Sequence, residues 1–513
     1  MEGQPSGRTD ARRAPAHPLL LEIDTWPWLS GLSAAAGREL DLATVPPHVW
    51  DQVADGGYDL VWLMGVWQRS PAGVAVARAD TGLVASFRAA LPDLADADVV
   101  GSPYCVRDYV VDDRFGGPAA LAVARAELRA RGVGLVLDFV PNHVAPDHPW
   151  VSSHPERFVL GSAEDLAQDP SGYVELAGHV VALGRDPYFP PWPDVVQLDA
   201  FSPDLRAAVV GTLRDIAGQC DGVRCDMAML VMDDVFAGTW GDRVGEPPPR
   251  PYWPEVVEAV RETHPGFLFL AEAYWDREAA LQDQGFDHCY DKRLYDRLVD
   301  GAPAADVAAH LAAEPAYQRR LVRFLENHDE PRAAAVLDPA RHRAAAVATL
   351  TQCGLRLVHD GQTVGRRTRL PVFLGRYPDE PVDAELETFY RRLLGALLDP
   401  TFRTGSWQLC RTTGWEGNPA AAQVVSWCWS GDARWLVVVN LGEVPAAAHV
   451  ATPWPDLRSA RLLLHDPTQA AAYERSGDDL VDGLYVELPA WGWHLFRVSA
   501  ALEEDTDDTP AHR

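Results

Sequence analysis

Residues 134–143 read GLVLDFVPNH, Gly134 through His143. Five of the first seven residues are large and apolar, and then the chain turns polar at Pro141, Asn142 and His143. A short continuous apolar run bounded by glycine and a polar break is the pattern of a fully buried parallel strand whose last residues surface at its carboxyl end. Upstream, GPAALAVARAELRAR (117–131) carries alanine and leucine at helical spacing with one polar face, and Gly132 and Gly134 flank the entry to the strand. This is a helix feeding a strand.

The same signature recurs along the chain. LLLEID (19–24), YDLVWLMGV (58–66), GVRCDMA (222–228), FLFLAEA (267–273), DHCY (287–290), LVRFLEN (321–327) and GLRLVHD (354–360) bring the count of expected strands to eight, most of them separated by alanine-rich helical stretches. Strand and helix in alternation predict parallel pairing, and eight repeats predict an α/β fold of the closed (β/α)8 TIM-barrel kind. One connection is abnormal: about eighty residues rich in proline, aspartate and tryptophan separate the third strand from the fourth, where a few would suffice. We expect an insertion there, at about 144–200, over the barrel's working face, with Trp150, Tyr188, Phe189 and Trp192 as either sugar-stacking rings or its internal packing.

After residue 399 the pattern becomes antiparallel. AAQVVSWCWS, ARWLVVVNLG, AAHVAT, ARLLLHD and GLYVELPAWGWHLFRV are β-rich runs separated by glycine, aspartate and proline turns, which predicts a C-terminal β-sandwich over 399–500. The barrel then occupies 19–398. Residues 1–18 read as a flexible arm and 501–513 (ALEEDTDDTPAHR) as an acidic tail.

Composition narrows the functional classes. The chain has 513 residues with 47% hydrophobic and 23% charged content, enough for a large core and typical of globular proteins. No apolar run approaches the roughly 18–20 residues of a membrane span, and the N-terminus lacks the apolar segment of a secretory signal, so cytoplasmic location is the expectation. Seven scattered cysteines without metal-ligand spacing read as small buried side chains. A formal charge of −29 with dispersed arginines excludes a nucleic-acid footprint and leaves a neutral small molecule or oligosaccharide as the expected ligand. Oligomeric state is not legible.

Chemistry concentrates where strands end. Retaining cleavage of a glycoside needs two carboxyl groups flanking the anomeric carbon, one ionised to attack and one protonated to assist departure. Asp226 and Glu272 are the expected pair. Arg224, two residues before Asp226, projects from the same face of its strand and marks that carboxylate as the nucleophile. Glu272 follows FLFLA and precedes Tyr274 and Trp275, an apolar and aromatic setting that favours the protonated acid/base. Asp329 is a third acid, able to hold hydroxyl groups of a distorting ring, with His143 and His328 as donors beside it. His359, Asp360, Gln362 and Arg366, after the last strand, form either a substrate rim or a loop that closes the barrel.

DFVPNH, GVRCDMAML, AEAYW and ENHDEPR resemble, in order and spacing, the four signature regions of the α-amylase superfamily of glycoside hydrolases. The resemblance covers residues 19 to about 500. It implies Asp226 as nucleophile, Glu272 as acid/base and Asp329 as transition-state stabiliser, and supports His143, Arg224 and His328 as ligands of the reacting ring. SPYCVRDY (102–109) is similar to the family segment in which a tyrosine, here Tyr104, stacks on that ring, followed four residues later by an aspartate, here Asp108. The implied activity is retaining hydrolysis of α-linked glucosides or maltooligosaccharides, with no required cofactor. A transferase, phosphorylase or isomerase on the same scaffold is the alternative, and a non-catalytic sugar-binding relative is a third reading, though relatives of that kind typically lack one of the three acids. Met229 and Leu230 depart from the Lys-His pair that many members carry after the nucleophile, so starch-type specificity does not transfer. Many relatives bind calcium through the asparagine equivalent to Asn142. The sequence does not complete an oxygen shell for that ion, and no metal is assigned.

Overall fold

The computed structural model describes residues 14–501. Eight strands close into a barrel: β1 (Leu19–Asp24), β2 (Leu60–Met64), β3 (Gly134–Phe139), β4 (Gly222–Cys225), β5 (Leu268–Ala271), β6 (His288–Tyr290), β7 (Leu321–Arg323) and β8 (Leu355–His359). Each pairs in parallel with its neighbours in chain order, and β8 returns to β1 through Leu20↔Leu357 and Glu22↔His359. All eight expected strands are present, several trimmed at their ends. Both faces of these strands are covered, and Val61, Leu63, Leu135, Leu137, Val223 and Phe269 have no exposed surface. Continuous burial explains why the runs read as apolar throughout rather than alternating.

The long connection after β3 forms its own four-stranded sheet. His143–Val144 pairs with Trp192–Gln197, that strand with His179–Gly184, and the last with Tyr173–Leu176, all antiparallel. The helix Pro203–Ala217, opened by Pro203 behind a Ser202 cap, then leads into β4. A two-stranded ribbon, Trp67–Arg69 against Val106–Val111, lies between β2 and β3 in the chain.

The chain divides into two compact units. The first comprises residues up to 295, 314–336 and 353–384, and contains the whole barrel and the insertion. The second contains a six-stranded and a three-stranded antiparallel sheet, both built from residues after 405. Their inward residues share one core, with Cys428, Leu436, Val438, Ala448, Val450, Leu464, Leu484 and Phe496 among its members. The expected sandwich is therefore there, but its unit begins earlier than 399. It takes in the helices Ala304–Leu311, Pro339–Leu350 and almost all of Ala384–Leu397. The indoles of Trp427 and Trp429 donate to Thr351, at the end of the second of these helices, and His342 bonds the Tyr390 hydroxyl on the third.

The flexible-arm expectation for 1–18 needs shortening. His17 is buried, with Nδ1 accepting from the Gly354 amide at 3.0 Å, and the Pro18 carbonyl accepts from Arg356 at 2.9 Å. These bonds extend β1 backwards along β8. Residues 1–13 of the arm and 502–513 of the tail lie outside the described residues. No helix among the described residues is long and apolar enough to cross a membrane. All seven cysteines are buried free thiols, as expected.

Gly354 sets the entry to β8. Its φ is +93°, and a Cβ there would lie 2.4 Å from the Leu321 carbonyl oxygen, a backbone atom of the neighbouring strand. Gly354→Ala should therefore destabilise the barrel by about 1–3 kcal/mol, seen as a lower melting temperature in calorimetry.

Candidate active site

Strand β4 delivers two side chains to the carboxyl-end mouth. Arg224 and Asp226 alternate with Cys225, so the first two share a face while the thiol is fully buried. Ladder bonds continue past the strand ends: the Asp226 amide donates to the Phe139 carbonyl (2.9 Å), Glu272 to Cys225 (3.0 Å) and Ala228 to Glu272 (3.1 Å). Backbone pairing thus fixes the two acids relative to each other before any side-chain contact is made. Met227 then turns the chain with φ +40°, a left-handed conformation that is costly for a side chain of its size. The turn brings its N–H to 2.6 Å from Glu272 Oε2.

Arg224 is the hub. One terminal nitrogen donates to Asp226 Oδ1 at 2.7 Å; the other makes ionic contacts with Glu272 Oε2 at 2.8 Å and Asp329 Oδ2 at 3.9 Å. Its guanidinium is 1% exposed and faces the rings of Trp62, Tyr104 and Tyr290 at 5.2–5.8 Å. Delocalised charge between aromatic faces is the setting in which an arginine tolerates burial. Tyr274 completes the Glu272 environment by donating to Oε1 at 3.0 Å.

Beyond the seventh strand, Asn327 Oδ1 accepts from the amides of Asp329 and Glu330, both at 2.9 Å, which folds this loop back on itself. His328 stacks on Tyr104 with ring centroids 5.4 Å apart. Its Nε2 lies 2.9 Å from Asp329 Oδ2 and 2.7 Å from the Tyr104 hydroxyl, and its Nδ1 lies 2.5 Å from Glu22 Oε1.

These environments push proton affinities apart. Burial raises the Glu272 carboxyl to about 7, with the negative charges of Asp226 and Asp329 adding to the rise and Arg224 opposing it. Burial also opposes ionisation of Asp329, but His328 and Arg224 outweigh it and hold that carboxyl at about 2. Desolvation disfavours the charged His328 ring, yet Asp329 and Glu22 together keep its pKa well above the usual histidine range. Burial lowers that of His143, partly offset by Asp226. Two neighbouring carboxyls with opposite tendencies are the physical basis of an acid assigned to proton delivery beside one kept ionised.

Seven of the eight side chains expected from the sequence are brought together: Asp226, Glu272, Asp329, Arg224, His328, Tyr104 and His143, the last by a hydrogen bond to the Tyr104 backbone. Asp108 is not. It sits half-buried on the ribbon, opposite Gln68, with no hydrogen bond or ion pair to any of them. Met229 and Leu230 are buried, at 0% and 3% exposure, so they pack the barrel rim rather than presenting apolar surface to a ligand. His359 and Gln362 also belong to the structural side of their alternative. His359 pairs with Asp24, and Gln362 caps its backbone amide. Of the insertion's aromatics, Trp150 packs on His148 and Arg157 and Trp192 on His143, whereas Tyr188 and Phe189 are 69% and 67% exposed, Tyr188 edge-on to Trp275. Sequence reasoning passed over Trp62, Tyr290 and Glu22. The signal for the last was available, as an acid inside an otherwise apolar strand.

A closed parallel barrel with three acids gathered on one buried arginine at its carboxyl-end mouth defines the class. The chain is similar to members of the α-amylase family. No protein-family model matches it. It is 29% identical over 189 residues to an α-1,4-glucan:maltose-1-phosphate maltosyltransferase of Burkholderia pseudomallei, covering 35% of this chain and 14% of that protein. With an α-amylase of Haloarcula japonica it shares 27% identity over 327 residues, 61% of this chain and 44% of the relative. The chain thus spans less than half the length of these curated relatives. A solved α-amylase of Geobacillus thermoleovorans in complex with acarbose superposes with a TM-score of 0.64 at 17% identity, over 96% of this chain and all of that one. At that identity the likeness is one of fold.

The calcium implied by the family meets a different arrangement. Asn142 forms a buried reciprocal amide pair with Gln197, whose Nε2 lies 2.9 Å from the Asn142 carbonyl oxygen, 2.9 Å from its Oδ1 and 3.0 Å from the Leu198 carbonyl oxygen. An amide nitrogen stands where those three oxygens converge, and as arranged the residues do not fit a hard cation. Among the described residues two other clusters have ligand atoms close enough to share an ion, Glu22–Asp24–His359 and His154–Glu156–Asp204. In the first the Arg332 guanidinium lies 2.7 Å from His359 Nδ1, and in the second Arg157 pairs with Asp204. Dialysis against a chelator should leave the melting temperature unchanged, as measured by scanning calorimetry with and without added calcium.

Proposed function

We propose that this protein is a retaining enzyme acting on α-linked glucosides, hydrolysing maltooligosaccharides through a covalent glycosyl-enzyme intermediate. The observation that carries the reading is the Arg224 guanidinium, with Asp226 on one terminal nitrogen and Glu272 on the other. One planar group spanning both carboxyls favours the short separation of about 5–5.5 Å that retention needs over the wider gap of inverting enzymes. Asp226, hydrogen-bonded to Arg224, attacks the anomeric carbon as the glycosidic bond breaks. Glu272, raised to about 7 by burial, donates its proton to the departing oxygen, then takes one from the incoming acceptor. Asp329 remains ionised near the positive charge that develops on the ring, and Tyr104 offers that ring a face to stack on. The α-glucoside class draws support from the family relatives and from the acarbose held by a protein of the same fold.

A second reading has a specific observation behind it: maltosyltransferases are prominent among the sequence relatives. The same intermediate can be intercepted by a sugar or by phosphate instead of water. Incubating the protein with maltotetraose, with and without inorganic phosphate, separates the outcomes. Shorter products of α-configuration support hydrolysis with retention. Longer products, or turnover that requires phosphate, favour transfer. A β-configured first product contradicts retention altogether.

Asp226→Asn and Glu272→Gln should each lower kcat by about 10²–10⁴-fold. Turnover equal to wild type in either variant contradicts the assignment. Glu272 acts as an acid only while protonated, so kcat/KM should fall tenfold per pH unit above about 7 and hold level just below it.

A further inference from the structure

We propose that Glu22 is a positioning residue of this reaction, gripping His328 from behind so that its Nε2–H is charged and aimed at Asp329. The inference rests on the proposed reading of the site. Glu22 lies in β1, in the run LLLEID, and is 0% exposed. Burying a carboxyl in the barrel interior is costly, and an apolar residue would serve a strand of this composition better. Strand stability therefore does not account for the acid.

Its contacts do. Oε1 lies 2.5 Å from His328 Nδ1 and 3.4 Å from the His328 amide, while Oε2 has no hydrogen-bonding partner among the described residues. Every fixed polar contact of the side chain is thus directed at His328. On the far side of the ring, Nε2 meets Asp329 Oδ2 and the Tyr104 hydroxyl. A ring with a carboxyl on each nitrogen donates from both, which requires the imidazolium. Burial alone would drive the ring neutral, and Glu22 and Asp329 together reverse that.

The other groups around the ring do not substitute for Glu22. Asp24, on the same strand, is bonded to His359 and Tyr377. Asp138, on β3, accepts from the Trp62 indole and the Gly65 amide. Arg224 on β4 and Arg332 beyond β7 are cations that disfavour a second positive charge, as is His359 on β8, raised to about 9 against the opposing pull of burial and Arg332 by Asp24 and Glu22. Trp62, opposite Glu22 on β2, presents its ring edge-on to His328.

The test is Glu22→Gln, which keeps the acceptor and shape but removes the charge, with Glu22→Asp as the charge-retaining companion. Two readouts apply: the pH profile of kcat/KM on a maltooligosaccharide, and the titration of the His328 ring nitrogens by NMR in selectively labelled protein. In Glu22→Gln the His328 titration should drop by about one to three pH units. Activity should then fall more at pH 7 than at pH 5, with a steeper alkaline limb, and Glu22→Asp should move the profile back toward wild type. A Glu22→Gln profile parallel to wild type, or an unmoved His328 titration in folded Glu22→Gln, overturns the proposal. If wild type turned over no α-glucoside, the functional reading would fail, while the NMR titration would still decide whether Glu22 holds His328.

Discussion

A single buried cation, Arg224, conditions everything at the mouth of this barrel. Three acids converge there, of which Asp226 and Glu272 would pay heavily for their burial alone, and their mutual repulsion would scatter them. The guanidinium answers with a hydrogen bond to Asp226, a close ionic contact to Glu272 and a longer one to Asp329, while aromatic faces take the place of water around it. Because one rigid plane serves β4, β5 and the loop after β7, distances between the acids are set by its geometry and by the ladder bonds beneath. Unequal sharing matters as much. Glu272 lies in the drier setting and rises to about 7, whereas Asp329, with His328 as a second cation, falls to about 2.

Behind this front rank lies a second tier of charge that tunes the first. Glu22 faces His328, Asp24 and Arg332 face His359, and Glu326 pairs with Arg332, so that charges alternate around the β7–β8–β1 side of the barrel. Opposite, at the end of β3, the Asn142–Gln197 amide pair fastens the inserted sheet to that strand. Paired charges thus line one flank of the mouth, and an amide pair anchors the insertion on the other. The first bears on proton affinities, the second on the shape of the cleft.

Much of this was legible in the sequence, for identifiable reasons. Strands buried on both faces must be apolar from end to end, so LLLEID, GLVLDFV and FLFLAEA announce themselves, and the polar residues that follow must lie at one mouth. Arg224 and Asp226 share a face by strand periodicity alone. What escaped depends on contacts between distant segments. Glu22 meets His328 across 306 positions of sequence, a neighbourhood that exists only once β8 closes on β1. Asp108 stands at the right spacing from Tyr104 but lies on a ribbon whose irregular register places it opposite Gln68. The helices Ala304–Leu311 and Pro339–Leu350 alternate with strands in the chain as barrel helices do, yet they sort with the C-terminal sheets. That grouping is set by partners such as Trp427 and Trp429, more than seventy residues downstream of Thr351.

The central claim is that Asp226, held by Arg224, becomes covalently bonded to the sugar while Glu272 moves the proton. Trapping that intermediate tests it most directly: a 5-fluoro-α-glucosyl fluoride slows both steps, so that the bonded enzyme accumulates and can be digested and sequenced by mass spectrometry. The expected result is one sugar per chain, carried by the peptide containing Asp226 and absent in Asp226→Asn. A label on any other carboxylate, or an active enzyme that releases fluoride without ever carrying the sugar, would contradict it.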